Sequence, residues 1–170
     1  MSENAGFISG AAAFFERANR AVLAVERILG GVLMGFVLIV VCVNILSRYV
    51  MVRPISWGEE LASFSFVWTA LLSSAYALGR EAHVRISVIT SRFSPRFQTW
   101  LHVFNCLVAI AAFGVFLPYS ITVMKFLTPS PAMRIPEQYF YIIVPIVFVL
   151  FIFHLTASLF RNLAVLKKGA

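Results

Sequence analysis

The polar residues that could do chemistry lie mostly at the ends of long apolar segments. They are Asn44, Arg48, Trp57, Glu59, Glu60, Trp68 and the run His83-Val84-Arg85. Carboxylates inside membrane segments usually mark pathways for protons or cations. This chain has no aspartate, and no glutamate falls within its charge-free segments. We therefore expect specific contacts at the membrane interfaces and with a partner, and we do not expect transport by this chain alone.

The elements that must position these residues are membrane-spanning helices. Hydrophobic residues make up 61% of the chain and charged residues 12%, with a mean hydropathy of +0.90. Residues 28–47, 61–79, 97–124 and 138–160 carry no charge. Each segment approaches or exceeds the roughly 20 residues that a helix needs to cross about 30 Å of hydrocarbon. The sequence predicts an all-α integral membrane protein forming one four-helix domain over residues 1–170, with spans at about 28–50, 57–79, 96–124 and 137–160.

Basic residues are distributed unevenly between the two sides of the predicted spans. Ten of the 14 lie on the side that holds both termini, and Arg48, Arg53, Lys125 and Arg134 lie on the other. The positive-inside rule predicts cytoplasmic N and C termini in a multi-pass membrane protein. The net charge of +7 fits this bias and contact with phospholipid, so nucleic acid is not implied.

The segment before the first span has an amphipathic pattern. Over residues 7–27, polar residues including Glu16, Asn19 and Glu26 share one half of a helical wheel. Phe14, Phe15 and other apolar residues share the opposite half. Such a helix is typical of the headgroup plane, so an interfacial helix is predicted here. The alternative is a plain cytoplasmic extension of the first span.

Small residues in the first two spans indicate close helix packing. Gly31 and Gly35 are four residues apart, and Ser65, Thr69, Ser73 and Ala77 repeat at the same interval. Small residues at this spacing let two membrane helices approach closely. Trp68 lies well inside the second span, where it is expected to pack against another helix. The sequence leaves open whether these contacts lie within the chain or with a partner.

The charged residues at the start of the second span have local interpretations. Ser56 and Glu59 have the spacing of a capping box, in which each side chain bonds to the other residue's amide. Glu60 is then left to pair with Arg48, with Arg53 or with a basic residue of another subunit. Arg48 lies four residues after Asn44 on the same helical face, so it could bind a carboxylate or extend towards the headgroups.

Two histidines allow a different interpretation. His102 and His154 are predicted at a similar depth near the cytoplasmic face, where two imidazoles could bind a haem iron. The chain would then be the haem-binding membrane anchor of a respiratory complex. An independent four-helix carrier is the other alternative. The sequence contains no hydrolase motif, phosphate-binding loop or metal-ligand spacing, so no enzyme activity is predicted.

The order and spacing of these motifs resemble a known family. Asn44-x-x-x-Arg48 ends span 1, Trp57-x-Glu59-Glu60 opens span 2, Trp68 follows, and His83-Val84-Arg85-Ile86 comes after it. Together with four spans and cytoplasmic termini, this pattern closely resembles the small membrane subunit of tripartite ATP-independent periplasmic (TRAP) transporters.

The resemblance implies a non-catalytic scaffold. A periplasmic binding protein would capture an organic acid, and a large subunit would carry it inward by a sodium-driven elevator motion. This chain would lie in the bacterial inner membrane and pair there with the large subunit. It would hold no cofactor and leave sodium coupling to that partner. The residues expected at the subunit interface are Gly31, Gly35, Asn44, Arg48, Glu60, Ser65, Trp68, Thr69 and Ser73. The residues expected to dock the binding protein are Arg53, Lys125 and Arg134.

Overall fold

Within the residues that the structure describes, the chain forms four long helices and one short one. The computed structural model describes residues 3–53, 55–80 and 95–168. In chain order the helices are α1 (Glu3–Tyr49), α2 (Ser56–Gly79), α3 (Pro95–Met124), α4 (Gln138–Tyr141) and α5 (Ile143–Lys168). Among these described residues, four segments are long and apolar enough to span a membrane: Phe14–Tyr49, Ser56–Gly79, Phe97–Met124 and Gln138–Leu163. The predicted all-α membrane fold is confirmed, whereas its orientation stays a prediction and the His83 to Ile86 motif lies outside the described residues.

The first helix differs from the sequence prediction because it has no break between an interfacial segment and a span. α1 runs continuously for 47 residues, and no proline falls within it. Asn19 and Glu26, which the helical wheel placed on a solvent-facing half, contact His154 of α5. The bundle therefore continues along this segment, and the extension alternative describes α1 better than a separate interfacial helix does.

The helices pack around α5. This helix contacts α1, α2 and α3, whereas α3 packs chiefly on α5 and α1 packs chiefly on α2. Leu72, Ala75, Ile143 and Val147 form the buried core between α2 and α5. α1 and α3 leave most of their apolar side chains exposed, as expected of helices that face lipid or another membrane subunit.

The break between α4 and α5 has a local cause. Pro145 has no amide hydrogen for the carbonyl of Tyr141, and its ring crowds that carbonyl. The helical hydrogen-bonding pattern is interrupted at Ile142 and resumes at Ile143. α4 therefore forms a short separate turn between the preceding connection and the last long helix.

The two ends of the bundle carry different structures. The end called here the loop end holds residues 50–55, which join α1 to α2, and residues 125–137, which join α3 to α4. The end called the terminal end holds the start of α1, the end of α2, the start of α3 and the end of α5. Polar residues cluster at both of these ends.

Candidate functional site

The carboxylate of Glu59 at the loop end pairs with a guanidinium group rather than with a helix cap. Arg48 Nη2 donates to Glu59 Oε1, which joins the end of α1 to the start of α2. The N-cap position of α2 is Ile55, with no side-chain hydrogen bond, and Ser56 is already the first helical residue. The predicted Ser56 and Glu59 capping box is therefore wrong. A serine at the first helical position lies one residue too late to cap, and Arg48 offers Glu59 a charge-assisted bond.

The carboxylate of Glu60 binds the long loop of its own chain. Its oxygens accept hydrogen bonds from Ser130 Oγ, from the Ala132 amide at 2.8 Å and from the Met133 amide at 3.0 Å. The predicted pair of Glu60 with Arg48 is wrong, because Arg48 is bound to Glu59. Consecutive helical residues point about 100° apart, so Glu59 faces α1 while Glu60 faces the loop. Glu60 thus fixes a loop of this chain, and the intersubunit contact expected of it stays a prediction.

The indole of Trp68 is also used within the chain. Its Nε1 donates to the carbonyl of Phe140 at 2.6 Å, and its ring packs against the buried core. Phe140 belongs to α4, whose regular hydrogen bonding ends close to this carbonyl. Trp68 therefore packs within the chain, and the subunit contact expected of it stays a prediction.

The small residues of α2 do not form one continuous face. Ser65 and Thr69 are buried, and Thr69 Oγ1 donates to the Ser65 carbonyl at 2.8 Å. Ser73, the next in the series, is exposed. A four-residue repeat drifts around a helix of 3.6 residues per turn, and the buried face continues instead through Leu72 and Ala75. Ser65 and Thr69 therefore pack inside the chain, and Ser73 does not lie with them.

Gly31 and Gly35 lie on the side of α1 that faces away from the bundle. A side chain added at either glycine would meet nothing within 4 Å, whereas one at Gly30 would lie 3.8 Å from Ser73 Oγ. Asn44 is nine residues after Gly35, which is two and a half helical turns. It accordingly lies on the opposite side, where its side chain packs over Gly58 of α2. The predicted interface residues of α1 thus occupy two opposite surfaces.

The bundle-facing surface opens into a cavity of about 540 Å³ at the loop end, called here the α1–α2 groove. The Arg48 and Glu59 side chains are 48% and 57% exposed and form part of its wall. Asn44 Oδ1 is buried there with no hydrogen-bond partner among the residues that the structure describes. The groove is lined by Val41, Asn44, Ile45, Arg48, Tyr49, Glu59, Ala62 and Ser63. A concave surface with apolar walls and a polar pair suits contact with another helix.

The terminal end holds a buried polar cluster that sequence reasoning missed. His154 Nε2 lies 2.9 Å from Glu26 Oε1, and His154 Nδ1 lies 2.5 Å from Asn19 Oδ1. The side chains of His154 and Glu26 are 0% and 3% exposed. Asn19 and Glu26 are seven residues apart, so two helical turns bring both to one imidazole. In the sequence, this i, i+7 spacing indicates that Asn19 and Glu26 share a face of α1. No nearby residue indicates that their partner is His154.

The same cluster has no room for a larger residue at the end of α2. A Cβ atom at Gly79 would lie 2.7 Å from His154 Nδ1 and 2.8 Å from Leu23 Cδ2. Asn19 Nδ2 donates to the Gly79 carbonyl at 3.4 Å, so its Oδ1 is the atom that accepts from His154 Nδ1. Glycine therefore lets the end of α2 approach α1 and α5 closely.

Both ring nitrogens of His154 are engaged in this cluster. A haem-ligating imidazole needs one of its nitrogens for the iron. His154 is buried and hydrogen-bonded through Nδ1 and Nε2, so it does not fit the axial-ligand role predicted for it. One of the two histidines on which the respiratory-anchor alternative depended therefore offers no free nitrogen in this arrangement.

The fold and these contacts define a class of protein: a multi-pass membrane component whose polar residues hold its own helices and loops together. The family model for the DctQ component of tripartite ATP-independent periplasmic transporters matches residues 37–165. The chain therefore belongs to this family, as the sequence resemblance indicated, and is a TRAP transporter small permease subunit of the bacterial inner membrane.

Named relatives agree with the family model. The chain is 30% identical over 96 residues to the isethionate TRAP transporter permease protein DctMQ of Oleidesulfovibrio alaskensis, which covers 54% of this chain and 15% of that protein. It is 27% identical over 130 residues to the sialic acid TRAP transporter permease protein SiaT of Haemophilus influenzae. This match covers 75% of this chain and 21% of that protein. It is 26% identical over 107 residues to the C4-dicarboxylate TRAP transporter small permease protein DctQ of Vibrio cholerae. This match covers 61% of this chain and 44% of that protein. The chain thus spans less than half the length of each of these relatives.

Proposed function

We propose that this subunit is a non-catalytic scaffold that pairs with a large membrane subunit for sodium-driven uptake of an organic acid delivered by a periplasmic binding protein. The names of three relatives refer to isethionate, sialic acid and C4-dicarboxylates, which supports an organic acid as the substrate class. The matched stretch is a small part of two of these permeases. That coverage supports a second membrane component that supplies the transport pathway.

The α1–α2 groove is the surface proposed to receive the large subunit, and its exposed ion pair is the observation that carries this proposal. Other polar side chains, such as those of Glu60 and Trp68, already form hydrogen bonds within the chain. Arg48 and Glu59 stay half exposed beside apolar walls in segments that can span a membrane. A partner helix would shield this pair from water at the membrane interface and strengthen it.

A scaffold role also fits the way in which the chain uses its polar groups. Glu60 holds residues 130–133 to the start of α2, and the Asn19, Glu26 and His154 cluster joins α1 to α5. Contacts that connect separate helices limit their relative motion. The subunit would then serve as a fixed body in the bilayer while the moving part of the large subunit slides against it.

The proposed pairing can be tested with three matched substitutions of a small residue by phenylalanine. Ala62→Phe fills the α1–α2 groove, Gly31→Phe enlarges the opposite side of α1, and Gly114→Phe enlarges an open site on α3. Co-expression with the large subunit and gentle affinity purification would measure recovery of the complex. We expect Ala62→Phe to reduce recovery about tenfold, since overpacking costs about 1–3 kcal/mol, and the other two changes to leave it unchanged.

Each alternative predicts a different result in this experiment. Recovery unaffected by Ala62→Phe but abolished by Gly31→Phe would move the interface to the glycine side of α1. A chain that purifies without a large membrane partner and transports in liposomes would instead support the independent carrier.

The exposed basic residues of the loop end are proposed to dock the binding protein. Arg53 follows α1, and Lys125 and Arg134 lie in the connection between α3 and α4. Reversing all three charges should slow uptake and reduce its dependence on salt, because electrostatic docking is screened by ions. Uptake that is the same before and after triple reversal would contradict this role.

A further inference from the structure

A second cavity lies between α1 and α2 at the terminal end. Its volume is about 200 Å³, and its walls come from one side of α1 and from the end of α2. It is lined by Arg20, Leu23, Ala24, Arg27, Tyr76 and Arg80. Three arginines thus line one small cavity, and a guanidinium group can bind a phosphate group through paired hydrogen bonds.

The arginines are not neutralised within the described part of the chain. The ion pairs found there join Arg48 to Glu59 and His154 to Glu26, and neither involves a cavity arginine. Glu26 precedes Arg27 but is turned towards α5. The Arg80 guanidinium is held at the cavity by Tyr76, because Nη1 donates to Tyr76 Oη at 3.1 Å and Cζ lies 5.6 Å from the ring centre. Its other donors remain available for an anion.

The depth of the cavity favours a lipid as the source of the phosphate. The charge-free part of α1 begins directly after Arg27, and α2 ends directly before Arg80. The arginines thus lie at the boundary between hydrocarbon and headgroup regions, where the phosphates of a bilayer are found. Leu23 and Ala24 add an apolar wall beside them. A free phosphate would gain nothing from that wall, whereas a phospholipid would place its upper acyl chain against it.

The buried polar cluster holds the two walls in register. Leu23 lies beside Gly79, and Asn19 bonds to the Gly79 carbonyl. Arg20 and Arg80 are the chain neighbours of these residues, so the contacts that join α1 to α2 also fix the positions of the two arginines. A binding site whose walls are already in place loses little freedom when its ligand binds.

We propose that Arg20, Arg27 and Arg80 form a binding site for the headgroup of an anionic phospholipid. The phosphate is bound by the three guanidinium groups, with Tyr76 orienting Arg80, and the glycerol and upper acyl chain lie against Leu23 and Ala24. This site is separate from the α1–α2 groove proposed for the large subunit. Its occupancy is measured directly, so loss of lipid binding and loss of subunit pairing are distinguishable results.

Native mass spectrometry tests the proposal. The sample is the full chain, purified together with any subunit that binds it. After delipidation, phosphatidylglycerol, phosphatidylcholine and inorganic phosphate are titrated separately. We expect retention of a single phosphatidylglycerol and a loss of about tenfold or more in its affinity when Arg20, Arg27 and Arg80 are all changed to glutamine. The charge-matched control carries Arg17→Gln, Lys167→Gln and Lys168→Gln and should keep the wild-type affinity.

A milder variant keeps the test valid where the triple change destabilises the fold. Arg27→Gln alone should weaken phosphatidylglycerol severalfold while leaving the thermal unfolding midpoint of the delipidated protein unchanged. Equal affinity in the cavity variants and the Arg17, Lys167 and Lys168 control would overturn the proposal. So would equal retention of phosphatidylcholine, or tighter binding of inorganic phosphate than of phosphatidylglycerol.

Discussion

The two ends of the bundle use ionisable residues in opposite ways. At the loop end, Arg48 and Glu59 are about half exposed and join helices that are adjacent in the chain. At the terminal end, Glu26 and His154 are almost fully buried and lie 128 residues apart. An exposed pair contributes little to stability, whereas a buried pair cannot lose one member without leaving a charge or polar group unpaired. The loop-end pair is therefore available for a partner, and the terminal-end pair fixes the fold.

The largest expected effect comes from breaking the buried cluster. His154→Leu should destabilise the protein by about 3–5 kcal/mol, because Glu26 is left buried without its partner. Thermal unfolding in detergent measures the change. The double variant Glu26→Leu and His154→Leu should recover part of the stability. A double variant less stable than His154→Leu would contradict this explanation, because it would show that unpaired Glu26 is not the source of the loss.

The next largest effect is expected at Gly79. Gly79→Ala should cost about 1–3 kcal/mol, since the added methyl group would lie 2.7 Å from His154 Nδ1. Gly114→Ala is the matched control because a side chain there meets nothing within 4 Å. The same unfolding assay should show Gly114→Ala unchanged or slightly stabilised. Equal midpoints for the two variants would mean that the end of α2 is not closely packed.

Glu60 offers an intermediate case at the loop end. Glu60→Ala removes the acceptor for Ser130 Oγ and for the Ala132 and Met133 amides, so residues 125–137 should be cleaved severalfold faster by an added protease. Glu59→Ala, one residue away, should leave the cleavage rate unchanged. If both variants were cleaved equally fast, local fraying of α2 would explain the result instead.

The smallest effect on stability is expected for the exposed pair. Arg48→Ala should change the free energy of unfolding by no more than about 1 kcal/mol, as is typical of an exposed ion pair. Recovery of the complex with the large subunit should fall more strongly in the same variant. A large loss of stability with normal complex recovery would reverse the assignment of the two ends.

Much of the fold could be predicted from sequence because the bilayer imposes a local rule. A run of about 20 uncharged residues specifies a spanning helix wherever it lies in the chain, and Pro95, which starts α3, and Pro145, which separates α4 from α5, act on their own neighbours. The partners of Glu59 and Glu60 could not be read in this way. They depend on which direction each residue faces after α1, α2 and the long loop have come together.

The sequence by itself determined that the chain lies in lipid, that it has four membrane spans and which family it belongs to, since these depend on hydropathy and on the order of short motifs. Only the tertiary structure decided that Arg48 binds Glu59, that Glu60 binds a loop, and that Gly31 faces away from Asn44. It also brought Asn19 and Glu26 to His154 across more than 100 residues of chain. The physical reason is that burial in lipid is a property of each segment, whereas polar pairing depends on the rotation and contact of separate helices.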